Sequence, residues 1–336
     1  MKYLIEIHHG IGDIVQITGL LDSIKRQDKE AYIALILNKN AYKTLFDFDD
    51  RVDAFFRIDL KEMNKLQLMQ EAFKIRKNKF DYFMLSPISN PKASALLTLL
   101  LGAKVSAGEQ LADLAKVSKR FRYIEPRDVH IVERNENVML GLLGDAKRCQ
   151  PRLVVAPTKK CEVLGKAVAL CVGTSIPQKT WPAKRYLQVA EYFASKGYQI
   201  VLLGGQKEKK LFEAYNIAQK GYTDCLGKLT LAESASVASQ CALVIGGDTG
   251  VMHMAAAVGA KTLTLFSCTD PRLHCPYSAH GYYYTVSMPC QYCYEHGKAD
   301  ECTDHKCIKE IQVEDIIQIA EKILAGDTES LNRAIT

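Results

Sequence analysis

The chain has 336 residues, 48% of them hydrophobic and 24% charged, with 21 Gly and 10 Pro. That profile excludes a disordered, collagen-like or fibrous chain, and the length fits two domains of ordinary size. The 44 Lys+Arg against 38 Asp+Glu leave a net charge of only +6, so no nucleic-acid partner is expected and the balance hints only at an anionic ligand.

The first residues are interrupted by Glu6, which is not the pattern of a signal peptide. The longest apolar run, 93–101, is bounded by Lys92 and Lys104, far short of the roughly 20 residues that a membrane-spanning helix needs. A cytoplasmic location is expected.

Apolar periodicity alternates between strand-like and helix-like segments along the whole chain. Residues 3–7 read as a buried strand, Gly10 to Asp13 as a turn, 14–26 as an amphipathic helix and 32–37 as the next strand. Further on, 81–85 reads as a strand and 91–101 as a helix opened by Pro91; 130–143 reads as a helix that stops at Gly144. Between 145 and 166 the pattern becomes ragged, and a second alternation follows. Its strands are 167–172, 199–203, 242–245 and 262–266; its helices are 183–196, 207–219, 231–239, 250–258 and 313–324. Strand–helix alternation implies parallel sheets covered on both faces: an α/β chain of two doubly wound Rossmann-like domains facing an inter-domain cleft, with ligands at the carboxyl ends of the strands. The boundary is placed at 155/156.

The sharpest local signal is Gly246-Gly247-Asp248-Thr249-Gly250-Val251-Met252-His253, where a buried strand runs into a helix start. Glycines, open backbone N–H groups and the positive end of the helix suit an anion; equally, Asp248 or Thr249 caps the helix. A second turn, Gly173-Thr174-Ser175, is followed by Lys179-Thr180-Trp181-Pro182. Two hydroxyls and a lysine suit a diphosphate, whereas the plainer reading is a solvated lysine and a tryptophan anchoring a loop. In the third turn, Gly204-Gly205-Gln206-Lys207-Glu208, Glu208 either accepts from ribose hydroxyls or favours the helix N-terminus.

In the first half, Gly10-Ile11-Gly12-Asp13 is not a dinucleotide fingerprint, because Val15 stands where a third glycine is required. Asp13 is a candidate general base, although on spacing alone a helix cap is the commoner role. His8 and His9 fit structural and catalytic roles equally. The basic run from Lys116 to Arg122 reads as a solvated face; Lys119 and Arg120 within it would suit a phosphorylated acceptor.

All 11 cysteines lie from Cys149 onward. An odd number with no secretory signal argues against a disulfide framework, and Cys171 and Cys241 read as small buried hydrophobes. Cys290, Cys293, Cys302 and Cys307 form a denser group that fits either a tetrahedral structural metal site, zinc or iron, or four reduced thiols.

Together these motifs resemble glycosyltransferase family 9, the bacterial heptosyltransferases of lipopolysaccharide assembly. The resemblance rests on Gly12-Asp13, Lys179-x-Trp181-Pro182, Leu203-Gly204-Gly205, Gly247-Asp248-Thr249-Gly250-x-x-His253 and Thr269-Asp270-Pro271, with the late cysteines, and spans about residues 3–311. It implies a GT-B architecture: an acceptor domain over 1–155, a nucleotide-sugar domain over 156–310 with a Cys-rich segment at 290–307, and a last helix within 311–336 crossing back toward the first domain. It implies an inverting transfer of heptose from ADP-heptose to an anionic glycolipid acceptor at the inner membrane surface, without a catalytic metal. Asp13 would be the base; Thr174, Ser175 and Lys179 would hold the diphosphate and Glu208 the ribose; Asp248, Thr249, Gly250 and His253 would line the donor pocket. Some relatives glycosylate proteins and hold iron in a four-cysteine site. The chain departs from the family pattern at Gly19, where proline is common, and at Ser267-Cys268, where a Gly-Pro pair is common. Other readings are a nucleotide-sugar epimerase of similar build, a dehydrogenase, and a metal-stapled interaction protein.

Overall fold

The structure, a computed structural model, describes every residue except 8, 9, 61, 88–90, 145–148, 216 and 336. The chain divides into two units, Met1–Pro151 and Arg152–Thr336.

The first unit opens with strand β1 (Lys2–Ile7), buried from its second residue onward, and helices α1 (Ile11–Gln16) and α2 (Thr18–Gln27). A single helix over 14–26 was the expectation. The structure instead starts the helix at Ile11 and interrupts it at Ile17, where the Thr18 hydroxyl donates to the Val15 carbonyl at 2.6 Å. A side chain that bonds a nearby carbonyl competes with the helical ladder. The unit continues through β2 (Tyr32–Leu37), β3 (Ala54–Arg57), α3 (Lys65–Arg76), β4 (Tyr82–Met84), α4 (Pro91–Leu101), β5 (Val105–Gly108), α5 (Ala112–Val117), β6 (Phe121–Tyr123) and α6 (Ile131–Leu143). Among the described residues its sheet has six strands in the order β3-β2-β1-β4-β5-β6, and every pairing is parallel. Leu4, Ala34, Ile36 and Phe83 pack with Leu68, Ala72, Leu97 and Leu101 of α3 and α4 to form one layer of core. The segment 54–76 and the short strands β5 and β6 carried no clear period in the sequence.

The second unit repeats the plan: β7 (Ala167–Cys171), α7 (Ala183–Ser195), β8 (Gln199–Leu203), α8 (Gln206–Glu213), β9 (Thr223–Asp224), α9 (Leu231–Ala238), β10 (Leu243–Gly247), α10 (Gly250–Ala257), β11 (Thr262–Phe266), α11 (Pro271–His274), β12 (Gly281–Thr285), α12 (Lys306–Lys309) and α13 (Val313–Ala325). Its strand order, β12-β11-β10-β7-β8-β9, is the order of the first sheet read from the other edge, again all parallel. Both are the doubly wound arrangement, with a topological switch point between β1 and β4 in one unit and between β7 and β10 in the other. The last helix buries Ile316, Ala320 and Ile323 in the core of its own unit, beside Tyr186, Val189 and Phe193 of α7.

The described cysteines form no disulfide framework, but two of them pair. Cys161 and Cys225, both buried, are joined as a disulfide across a sequence separation of 64, with Cα atoms 6.4 Å apart. The bond ties the segment after the unit boundary to the end of β9; spacing alone could not have paired residues so far apart. Cys171 and Cys241 are buried thiols, as their place beside strands implied.

Candidate functional site

Ligands of open parallel sheets bind beyond the carboxyl ends of the strands at the switch point. In the second unit that point lies between β7 and β10, where the last residue of β7, Cys171, pairs with Gly246. The chain leaves β7 through Gly173 to Lys179 and leaves β10 through Asp248 to Gly250, so two of the three turns singled out in the sequence meet there. The contact is close: a Cβ on Gly247 would lie 2.7 Å from the Lys179 carbonyl oxygen and 2.8 Å from the Thr174 methyl. Backbone approach of this kind is what glycine permits.

At the centre, the Lys179 ammonium donates to Asp248 Oδ2 at 2.6 Å, and the Thr269 hydroxyl donates to the same oxygen at 2.7 Å. His253 Nε2 lies 3.9 Å from the other carboxylate oxygen. Asp248 is buried, and burial alone favours its neutral acid; Lys179 and His253 outweigh that and hold the carboxyl well below its ordinary range. Burial likewise works against the charge on Lys179, but Asp248 prevails and raises its pKa. The plainer reading of Asp248 as a helix cap does not hold. Thr249 is the N-cap residue of α10, yet its side chain makes no capping bond, and the Asp248 carboxylate is turned to Lys179 and Thr269.

The surrounding residues fix this arrangement. Trp181, fully buried, donates its indole N–H to the Ile311 carbonyl at 3.1 Å and packs edge-on against Tyr186, whose hydroxyl accepts the Gly247 N–H. Lys179 is therefore not a loosely solvated side chain. Gln178 donates to the Ala299 carbonyl and the Ser267 hydroxyl donates to the Gln178 carbonyl, both at 2.8 Å. Thr174 and Thr180 share a hydroxyl–hydroxyl bond of 2.6 Å. Ser175 is exposed at the rim. Glu208, in the first turn of α8, accepts the Gly205 N–H at 2.8 Å, and its carboxyl carbon lies 2.5 Å from where a Cβ on Gly173 would stand. It is both a helix-start residue and a wall of the same crevice.

Two contributors escaped the sequence reading. Thr269 belongs to the quoted Thr269-Asp270-Pro271 motif, but nothing in its spacing tells that its hydroxyl reaches Asp248; Asp270 caps α11 instead, accepting from the Arg272 N–H. Tyr294, from the Cys-rich segment, lays its half-exposed ring 4.8 Å from the Lys179 ammonium, a cation–π contact.

In the first unit, Asp13 stands at the switch point, in the first turn of α1. Its Oδ2 accepts the Gly10 N–H at 2.8 Å, three residues back, so the capping role exists. Its other oxygen has no hydrogen-bond partner among the described residues. His8 and His9 lie outside the described residues. Lys119 and Arg120 are exposed and immediately precede β6. They therefore stand at the amino edge of the sheet, and the structure does not gather them with Asp13.

The profile of glycosyltransferase family 9 (heptosyltransferase) matches residues 70–303, well over half of the chain. The chain belongs to glycosyltransferase family 9. It is a glycosyltransferase of the GT-B fold class, built from two Rossmann-like parallel-sheet units. It is 24% identical over 352 residues to lipopolysaccharide heptosyltransferase 3 of Escherichia coli K12, covering 96% of this chain and 98% of that protein. Over 161 residues it is 29% identical to lipooligosaccharide heptosyltransferase 2 of Haemophilus influenzae; this match spans 43% of this chain and only 46% of that relative. The solved E. coli heptosyltransferase WaaC with ADP-2-deoxy-2-fluoro heptose superposes with a TM-score of 0.76 at 16% identity, covering 96% of this chain and 99% of that one. No helix among the described residues of this transferase is long and apolar enough to cross a membrane.

Of the two readings of the late cysteines, the metal site finds no support. Among the described residues no group of three or more His, Cys, Asp or Glu side chains is arranged to hold a metal ion. Cys290 is exposed, Cys293 and Cys302 are half-buried, and Cys307 is buried on α12. Burial first, and the neighbouring thiols second, push the pKa values of Cys293 and Cys307 upward. A tetrahedral site needs converging thiolates. The Cys-rich segment brings Tyr294 to Lys179, anchored by the Tyr294 N–H on the Cys268 carbonyl at 3.0 Å.

Proposed function

We propose that this glycosyltransferase transfers heptose from ADP-heptose to a lipopolysaccharide or lipooligosaccharide core acceptor, with inversion at the anomeric carbon and without a catalytic metal. The second unit takes the donor and the first unit the acceptor, an anionic glycolipid presented at the cytoplasmic face of the inner membrane. The observation that carries the reading is the Lys179–Asp248–Thr269 cluster at the switch point of the second sheet. Family membership, the names of the relatives and the nucleotide-sugar seen on WaaC support it.

The chemistry follows from the charges. As the bond from the anomeric carbon to phosphate breaks, negative charge grows on the leaving diphosphate. An ammonium has three donors; Lys179 spends one on Asp248 and keeps the others for phosphate oxygens. Asp248, fixed by Thr269, holds that ammonium in place before the donor arrives, so little reorganisation is left for the transition state. Thr174, Ser175 and the N–H groups at Thr249 and Gly250 add donors, His253 lines the sugar side, and Glu208 accepts from ribose hydroxyls. Asp13, with one carboxylate oxygen holding its own turn, uses the other to remove the acceptor hydroxyl proton as that oxygen attacks the face opposite the leaving group.

The test is calorimetric binding of ADP, UDP, GDP and CMP to wild type and Lys179→Ala, followed by transfer from ADP-heptose to a purified core acceptor. ADP should bind in preference and lose roughly tenfold or more in affinity in the variant, the size of a charge-assisted bond. Preference for another nucleotide would redirect the donor, and conversion of donor without acceptor would make the enzyme an epimerase.

A further inference from the structure

The Cys-rich segment that follows β12 has no helix or strand of its own from 286 to 298, yet its backbone is pinned. The Tyr294 N–H donates to the Cys268 carbonyl at 3.0 Å, and the Tyr294 carbonyl accepts the Gly297 N–H at 3.1 Å. The next residue, Glu295, accepts the Asp270 N–H at 3.2 Å and lies 3.1 Å from His274 Nε2. Farther along, the Ala299 carbonyl accepts from the Gln178 side chain at 2.8 Å. The segment is thus fastened to the loop after β11, to α11 and to the turn after β7, the turn that carries Lys179.

From this fixed backbone Tyr294 extends a ring that packing does not explain. The residue keeps 48% of its surface exposed, and no described residue hydrogen-bonds its hydroxyl. A tyrosine placed for the core buries its ring and pairs its hydroxyl; Tyr186, in the same unit, does both. The Tyr294 ring lies instead 4.8 Å from the Lys179 ammonium. That ammonium is nearly enclosed: the Lys179 side chain is only 12% exposed and is bonded to Asp248 at 2.6 Å. The attraction of a cation to the negative face of a ring grows as water is removed from it. Lys2, Lys39 and Lys196 also lie over tyrosine rings, but they are exposed, where such a contact is weak. The one enclosed lysine of this group is the one at the switch point.

We propose that Tyr294 is a positioning residue for the donor: its ring face, and not its hydroxyl, holds the Lys179 ammonium ready for the diphosphate. A lysine stem is long and flexible, and ordering it on binding costs affinity. Asp248 fixes one N–H of the ammonium and the ring attracts the same charge, so the side chain has fewer orientations left to lose when phosphate oxygens arrive. This role rests on the reading of Lys179 as the diphosphate-binding residue. It gives the Cys-rich segment a part in the reaction that needs neither a metal nor a thiol.

The test compares wild type, Tyr294→Phe, Tyr294→Leu, Lys179→Ala and the double variant Tyr294→Leu with Lys179→Ala, all as the full chain. ADP affinity is measured by calorimetry, and kcat and KM with ADP-heptose in the transfer assay. Tyr294→Leu should bind ADP about three- to tenfold more weakly than wild type and lose at least as much in kcat/KM, because the charge on the diphosphate is greatest in the transition state. Tyr294→Phe, which keeps the ring, should match wild type in both. In the Lys179→Ala background, Tyr294→Leu should change nothing further, since the ring acts through the ammonium. Three results overturn the proposal: Tyr294→Leu binding ADP as tightly as wild type or more tightly, Tyr294→Phe losing as much as Tyr294→Leu, or a Tyr294→Leu effect that persists without Lys179. Failure of wild type to bind ADP would instead strike at the functional reading beneath it.

Discussion

Asp13 carries two roles that a single substitution can separate. Asparagine keeps a side-chain oxygen for the Gly10 N–H, so the turn survives, but it cannot take a proton. Asp13→Asn should lower turnover by about two orders of magnitude or more while donor affinity stays near wild type; a fully active variant would remove Asp13 from the chemistry. Asp13→Ala should in addition cost about 1 kcal/mol of stability through the lost cap, read as a lower unfolding midpoint. For Asp248 and Lys179 the sign of each shift fixes the pH behaviour. Asp248, lowered, contributes fully above the ordinary aspartate value of 3.8 and loses that contribution only as pH falls through its lower folded value. Lys179, raised, contributes fully below 10.5 and loses its contribution only as pH rises through its higher folded value. The stability difference between wild type and Asp248→Asn should therefore stay level from pH 7 to 9, above the ordinary range in which the neighbouring imidazole changes charge. A difference that shrinks from pH 7 to 9 would show that the pair is not formed as described.

At the scale of the element, the departure at Gly19 has a packing reason. In α2 a Cβ at this position would stand 2.2 Å from the Cys149 carbonyl oxygen and 3.1 Å from the Gln150 carbonyl carbon. The end of the first unit's chain runs against this helix, and backbone cannot step aside as a flexible side chain can. Gly19→Ala should destabilise the first unit by about 1–3 kcal/mol despite alanine's better helix propensity, measured by chemical denaturation; a stabilised variant would show that 149–150 yields. Helices were the most legible elements in the sequence where their ends carried signals. Pro91 opens α4 and Gly144 closes α6 at the residues read in advance. The interruption of α1 and α2 was not legible, because it depends on one hydroxyl choosing a carbonyl. The weak strands β5, β6 and β9 are two to four residues long, too short for a period to show.

For the whole molecule, the same strand order in both sheets places a switch point in each unit, and each switch point holds one part of the proposed reaction. Hydrogen exchange with and without ADP should therefore separate the units. Protection should gather at 173–179, 205–208 and 247–253 in the second unit and leave the turn after β1 unchanged. Saturation to about 100 times Kd should raise the stability of the second unit by about 2.7 kcal/mol. Protection centred in Met1–Pro151 instead would reverse the assignment of donor and acceptor.

The sequence by itself determined the alternation of strand and helix, the division into two α/β units and three of the turns that matter, because periodicity and glycine placement are local properties of the chain. Family membership was legible for the same reason, in short motifs such as Lys179-x-Trp181-Pro182 and Asp248-Thr249-Gly250. What the tertiary structure alone decided are the meetings of distant residues. Thr269 reaches Asp248, Tyr294 covers Lys179, and Cys161 joins Cys225. In each case the partners come from different strands or loops, and which side chains face each other across a parallel sheet depends on strand order and register. The four late cysteines show the converse: their spacing left a metal site and reduced thiols both open, and only the structure shows that among the described residues no three such side chains are arranged as a ligand set.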